Sequence, residues 1–286
     1  MLTRKQREIG IGGSSADVGE LALVLEASGN KRVAAEILEL AVASHAVEGG
    51  VWHNLGKLRF DFGDFLGATE AYTHAIEKGY TASYVNRGLC FEQLDDTQAA
   101  YSDYMAALEQ DPDDVKALID LGTLELENGD VDGARLHLTA AAGIDPRANW
   151  QLADVLIRAS DRHGARELLS KAIAAGELRA YLELAELADT EGDPRAEEYF
   201  RHAVSSGARD ARREYVIFLD ENGRVEEAIA QALEGVALGE TRCNAPLAVI
   251  YESQGEVELA KEYYRRAILD GESYYQPDLD ALTRDG

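Results

Sequence analysis

An all-α solenoid of about eight helix–turn–helix units is predicted by three patterns that run along this chain in phase. The first is Gly-x4-Ala, seen as Gly29/Ala34, Gly63/Ala68, Gly129/Ala134, Gly223/Ala228 and Gly255/Ala260. Asp95/Ala100 and Ser160/Ala165 keep the Ala and replace the Gly, Gly192/Ala196 slips by one residue, and the whole set recurs every 31 to 34 residues. The second is a small residue seven positions before each Gly or its substitute: Ala22, Gly56, Gly88, Gly122, Ala153, Ala185, Val216 and Ala248. The third follows the turn, as in Ala68-x3-Tyr72-x2-Ala75 and Ala100-x3-Tyr104-x2-Ala107. Intervals of four and three place all three residues on one helix face. A fixed period of this size marks supersecondary units stacked along one axis.

The elements follow in order. Residues 1–14 read as a flexible lead-in; the Gly10–Ser15 stretch lacks the Gly-Lys-Ser/Thr ending of a phosphate loop, which argues against nucleotide binding. Eight units follow, at 15–48, 49–80, 81–114, 115–145, 146–177, 178–208, 209–240 and 241–271, and residues 272–286 form a polar cap and tail. In each first helix the small residue lets a neighbouring backbone approach. The residue before it, a leucine except at Arg87 and Tyr215, fills the groove alongside. The Gly between the helices is expected in a left-handed C-cap, with the following Asp as N-cap, as in Gly63-Asp64 and Gly129-Asp130. A second Gly closes many units (Gly79, Gly176, Gly207, Gly239, Gly271), and Pro112 and Pro146 close two others.

Composition removes several functional classes. With 53 acidic against 28 basic residues and a net charge of −25, the surface repels phosphate backbones and anionic lipid, so neither nucleic acid nor membrane is an expected partner. The charge serves either solubility or attraction of a basic partner. Cys90 and Cys243 lie five repeats apart, which predicts separate buried thiols in a reducing compartment rather than a disulfide. The sequence has no apolar run of 18 residues and no signal-like start, and a soluble cytoplasmic protein is expected. The six histidines, His45, His53, His74, His137, His163 and His202, are dispersed without zinc-site spacing. Asp111-x-Asp113-Asp114 lacks the Gly and terminal Glu of a calcium loop and reads as a helix cap beside Pro112. Neither catalysis, metal nor cofactor is expected.

The chain resembles the tetratricopeptide repeat family. Trp52-x2-Leu55-Gly56 with Ala68, Tyr72 and Ala75 carries the resemblance in one unit, and Gly88-x2-Phe91 with Ala100, Tyr104, Ala107 and Pro112 carries it in another. Units of 31 or 32 residues and the closing glycines are also similar to Sel-type repeats. The resemblance implies a right-handed superhelix, non-enzymatic, whose first helices line a concave groove that binds a protein or peptide. Carried over, the groove positions are His53, Lys57, Val85, Asn86, Leu89, Lys116, Ile119, Trp150, Leu182, Ile217 and Val249. Their aliphatic members serve either an apolar partner anchored on Trp150 or contacts with neighbouring helices. A subclass of the family holds the C-terminal carboxylate of chaperones with Lys, Asn, Asn, Lys and Arg. The corresponding register here is His53, Lys57, Asn86, Lys116 and Asp120, matching at two positions and placing a carboxylate at the last.

Overall fold

The computed structural model describes Arg4, residues 14–44 and residues 47–284. Residues 1–3 and 5–13 of the expected lead-in, His45 and the last two residues of the tail lie outside the described residues. Among those described there are seventeen α-helices and no strand. They are α1 (Ser15–Ala27), α2 (Lys31–Ser44), α3 (Gly49–Asp61), α4 (Phe65–Glu77), α5 (Ser83–Gln93), α6 (Thr97–Gln110), α7 (Val115–Glu127), α8 (Val131–Ile144) and α9 (Asn149–Arg158). Then come α10 (Arg162–Ala174), α11 (Ala180–Thr190), α12 (Ala196–Ser205), α13 (Ala211–Glu221), α14 (Val225–Ala237), α15 (Asn244–Ser253), α16 (Val257–Leu269) and α17 (Gln276–Arg284). No described helix is long and apolar enough to cross a membrane.

Two compact units divide the chain at Val155/Leu156, inside α9. In the first, α1 packs on α2, α3 on α4, α5 on α6 and α7 on α8; α2, α4 and α6 also pack on the next first helix, and α8 packs on the 3-10 turn Pro146–Ala148. In the second, α11 packs on α12, α13 on α14 and α15 on α16, with α17 closing against α16. First helices also meet directly, α1 with α3, α3 with α5, α5 with α7, and α13 with α15.

The turns show why these residues stop and restart helices. Gly129 has φ 84°, a left-handed conformation that costs a residue with a Cβ about 1–2 kcal/mol. The same left-handed position is filled without glycine by Asp95 (φ 58°) and Ser160 (φ 63°), the two substitutes found in the repeat pattern. Past the turn, the next N–H reaches back five residues, Asp64 to Arg59, Asp96 to Phe91, Asp130 to Glu125 and Asp161 to Leu156. These four aspartates then cap the next helix, each carboxylate accepting from the backbone N–H three residues on.

The core explains the size alternation. A Cβ on Gly56 would stand 2.7 Å from the Tyr72 ring, on Gly88 2.5 Å from the Tyr104 ring, and on Gly122 2.7 Å from Leu138 Cγ. Each small residue is therefore the seat of the large residue on its partner helix. Arg87, an exception to the leucine pattern, is held instead by a bidentate ion pair, its Nε and Nη2 each 2.7 Å from the buried Asp103 carboxylate. A third bond runs from its Nη1 to Thr73 Oγ1, tying α5 to both α6 and α4. Both cysteines are buried and free, and burial pushes each thiol up to about 11.

Candidate functional site

The first helices carry the expected groove residues in a common register. His53, Val85, Ile119, Trp150 and Leu182 each stand three positions before the small residue of their helix, and Lys57, Leu89, Ile217 and Val249 stand one position after it. Positions four apart on a helix are neighbours on its surface, so each first helix offers a short strip of the same geometry.

In the first unit that strip is largely engaged by its own neighbours. His53 Nδ1 lies 2.8 Å from the hydroxyl of the buried Ser83, and its ring packs on Tyr72 and Tyr80. Burial, reinforced by Lys116 and Lys57, lowers its pKa, which holds the imidazole neutral near pH 7. Lys57 Nζ pairs with Glu26 at 2.7 Å, and Lys116 Nζ donates to Asn86 Oδ1 at 3.0 Å. Val85 is 4% exposed and packs with Ala100, Tyr104 and Leu121, so it belongs to the core and not to a groove. Leu89 and Ile119 are half-buried at the edges of their core clusters, and Trp150 is half-buried in the first turn of α9.

Asp120, on α7, has one carboxylate oxygen buried without a hydrogen-bond partner among the described residues. Burial raises its pKa to about 6, with Lys116 opposing and Glu92 and Asp114 adding to the rise. The folded chain thus keeps a proton that the unfolded chain releases near pH 4, and stability falls as pH climbs between those values. Asp120→Asn is expected to raise the unfolding free energy by about 1–2 kcal/mol at neutral pH and to change it little below about pH 4. Urea titrations at the two pH values check this; equal effects at both would remove the carboxylate as the cause. A carboxylate charged at neutral pH, in a register whose lysines Lys57 and Lys116 are already engaged by Glu26 and Asn86, does not assemble a clamp for another carboxylate.

The second unit has an open site. Ile217 of α13 and Val249 of α15 line one cavity of about 230 Å³, together with Arg213, Pro246, Ile250 and Tyr275. Val249 is 41% exposed, which makes it accessible from this side. Asp220 and Glu221 stand at the rim. Arg213 is bonded to Glu214, yet its Nε is buried with no hydrogen-bond partner among the described residues. Leu182, on α11, is half-buried and packs against the core cluster that contains Phe200 and Tyr215. Of the lining residues only Ile217 and Val249 are among the expected groove positions; Arg213, Asp220, Glu221, Pro246, Ile250 and Tyr275 are not. Arg213 occupies the register of His53, Trp150 and Leu182, three before Val216, so position alone identifies it. Tyr275 comes from the 3-10 turn Ser273–Tyr275 after the last pair, where the repeat pattern carries no information.

Comparison with known proteins gives matches to the tetratricopeptide repeat at residues 93–155 and again at 244–269. A tetratricopeptide repeat protein from Parabacteroides merdae superposes with a TM-score of 0.57 at 18% identity, covering 96% of this chain and 98% of that one. PilF of Pseudomonas aeruginosa gives 0.58 at 19% identity over 75% of this chain and 99% of its own. A thermophilic TPR protein of Thermus thermophilus gives 0.51 at 17% identity over 61% and 98%. At these identities the likeness is one of fold.

Proposed function

We propose that this chain, which belongs to the tetratricopeptide-repeat family, is a non-enzymatic protein-interaction scaffold that takes an extended peptide segment across its first helices. The supporting observation is the cavity between α13, α15 and Tyr275, where an apolar wall adjoins the Arg213 guanidinium. An extended peptide supplies a partner for each. One side chain fills the space against Ile217, Val249 and Tyr275, and a backbone carbonyl accepts from the Arg213 guanidinium on the cavity wall.

The test compares the full chain with Val249→Asp, immobilised and exposed to native extract at low and high salt. Val249 is partly exposed, so the variant should keep its helix content and melting temperature. A partner held at high salt should lose affinity by about tenfold or more in the variant, corresponding to about 1.4 kcal/mol. Unchanged retention by Val249→Asp would overturn the site.

A second reading draws on the net charge of −25. Here the acidic surface captures a basic partner, and the bound proteins should be basic and released as salt shortens the screening length below its physiological value of about 8 Å.

A further inference from the structure

Within this acidic chain one cavity carries more basic than acidic side chains on its lining. It has a volume of about 250 Å³ and lies between the turn entering α13 and the turn entering α15. Four guanidinium groups line it, from Arg209, Arg212, Arg213 and Arg242, against two carboxylates, Asp210 and Glu240. The chain as a whole has nearly twice as many acidic as basic residues. We propose that this cavity binds a small oxyanion, carboxylate or phosphate, gripped by Arg209 and Arg242 above the buried Arg212.

Arg212 and Arg213 are paired internally, with Glu240 and Glu234 and with Glu214, whereas Arg209 and Arg242 have one carboxylate between them. Asp210 is shared, with one oxygen 2.8 Å from Arg242 Nη1 and 3.8 Å from Arg209 Nε. Arg209 keeps 80% of its side chain exposed and has no closer ion-pair partner among the described residues. Arg212 is 8% exposed and is satisfied by Glu240 at 2.9 Å, Glu234 at 3.2 Å and Gln231. Its charge is balanced by those two carboxylates, so the excess positive charge at the cavity mouth comes from Arg209 and Arg242, which share Asp210. Asp210 itself sits at φ 66° and its side chain makes no cap to α13, being turned toward Arg242 instead.

The walls suit a small anion. Val204, Ala208 and Cys243 supply an apolar back, and the Cys243 thiol, pushed up to about 11 by burial, stays protonated and adds no negative charge. The volume is below the roughly 300–1,000 Å³ of pockets for drug-sized ligands, which restricts the occupant to a few heavy atoms or to one anionic group at the end of a larger molecule. Guanidinium forks match carboxylate and phosphate oxygens alike with paired N–H donors. The site lies away from the Val249 cavity in function, since only Arg213 lines both.

The test titrates the full chain by calorimetry with inorganic phosphate and, separately, with succinate, ionic strength being held constant with sodium chloride. Saturable binding in either arm is expected; phosphate alone would identify a phosphoryl source, succinate alone a carboxylate. The double variant Arg209→Ala/Arg242→Ala should lose about tenfold or more in affinity, while Arg265→Ala on α16 should bind as the parent does. Asp210→Asn, which removes the competing carboxylate and keeps a residue tolerant of left-handed backbone, should bind more tightly than the parent. It serves as the deciding variant should the double variant fail to fold. Absence of saturation with both anions, or affinities unmoved by all these changes, would overturn the proposal.

Discussion

Tyr104→Ala is expected to lower the unfolding free energy by about 3–5 kcal/mol, the range for deleting a large buried ring. Tyr104 has no exposed surface, sits over Gly88, and donates its hydroxyl to Glu92 Oε1 at 2.5 Å. Truncation therefore opens a cavity and strips a half-buried carboxylate, whose pKa burial already raises, of its donor. Tyr104→Phe separates the two contributions, since it keeps the ring and should cost about 1–3 kcal/mol through Glu92 alone. Solenoid repeats contact only their neighbours, so the damage should be local. Amide exchange should accelerate across α5, α6 and α7 and remain unchanged across α14 to α16. A loss below about 1 kcal/mol, or exchange accelerated equally throughout, would show that the ring does not hold this repeat as described.

The repeat pattern made the fold legible because its constraints are local. A left-handed residue after each first helix, an aspartate cap, and a small residue facing a large one each leave a mark at fixed spacing. Those marks persist where the residue type changes, as at Asp95 and Ser160. The groove was only partly legible because its content depends on how consecutive helices cross. Val85 and Leu182 share one register, yet Val85 is sealed beneath Tyr104 while Leu182 remains half-buried. His53 and Lys57 read as free polar groups in sequence, but their partners Ser83 and Glu26 come from other pairs about thirty residues away. Arg213 stands in the same register as His53 and Trp150 but is not among the expected positions, and Tyr275 lies past the end of the repetition. Periodicity identifies which face a residue occupies; it does not state what stands opposite.

Gly88→Val should destabilise the chain by about 3 kcal/mol, at the upper end for overpacking. A Cβ alone at this position would approach Tyr104 Cε1 to 2.5 Å and its Cζ to 3.0 Å. The ring has no room to yield, because it is fully buried and its hydroxyl is fixed to Glu92. The gain in helix propensity from removing a glycine, below about 1 kcal/mol, does not offset this. The seventh pair holds the compensating combination, with Val216 and Ala232 at the two positions occupied here by Gly88 and Tyr104. Ala22 with Leu38 in the first pair is an intermediate case. If the two positions are coupled by volume, Gly88→Val combined with Tyr104→Ala should cost less than the sum of the single changes, with a coupling energy of about 2–3 kcal/mol. The valine then occupies the space that the ring vacates. Urea titrations of the parent, both single variants and the double variant give the cycle directly. Strict additivity would mean that the small residue serves only helix approach, independent of its partner, and would remove size complementarity as the rule that varies from repeat to repeat.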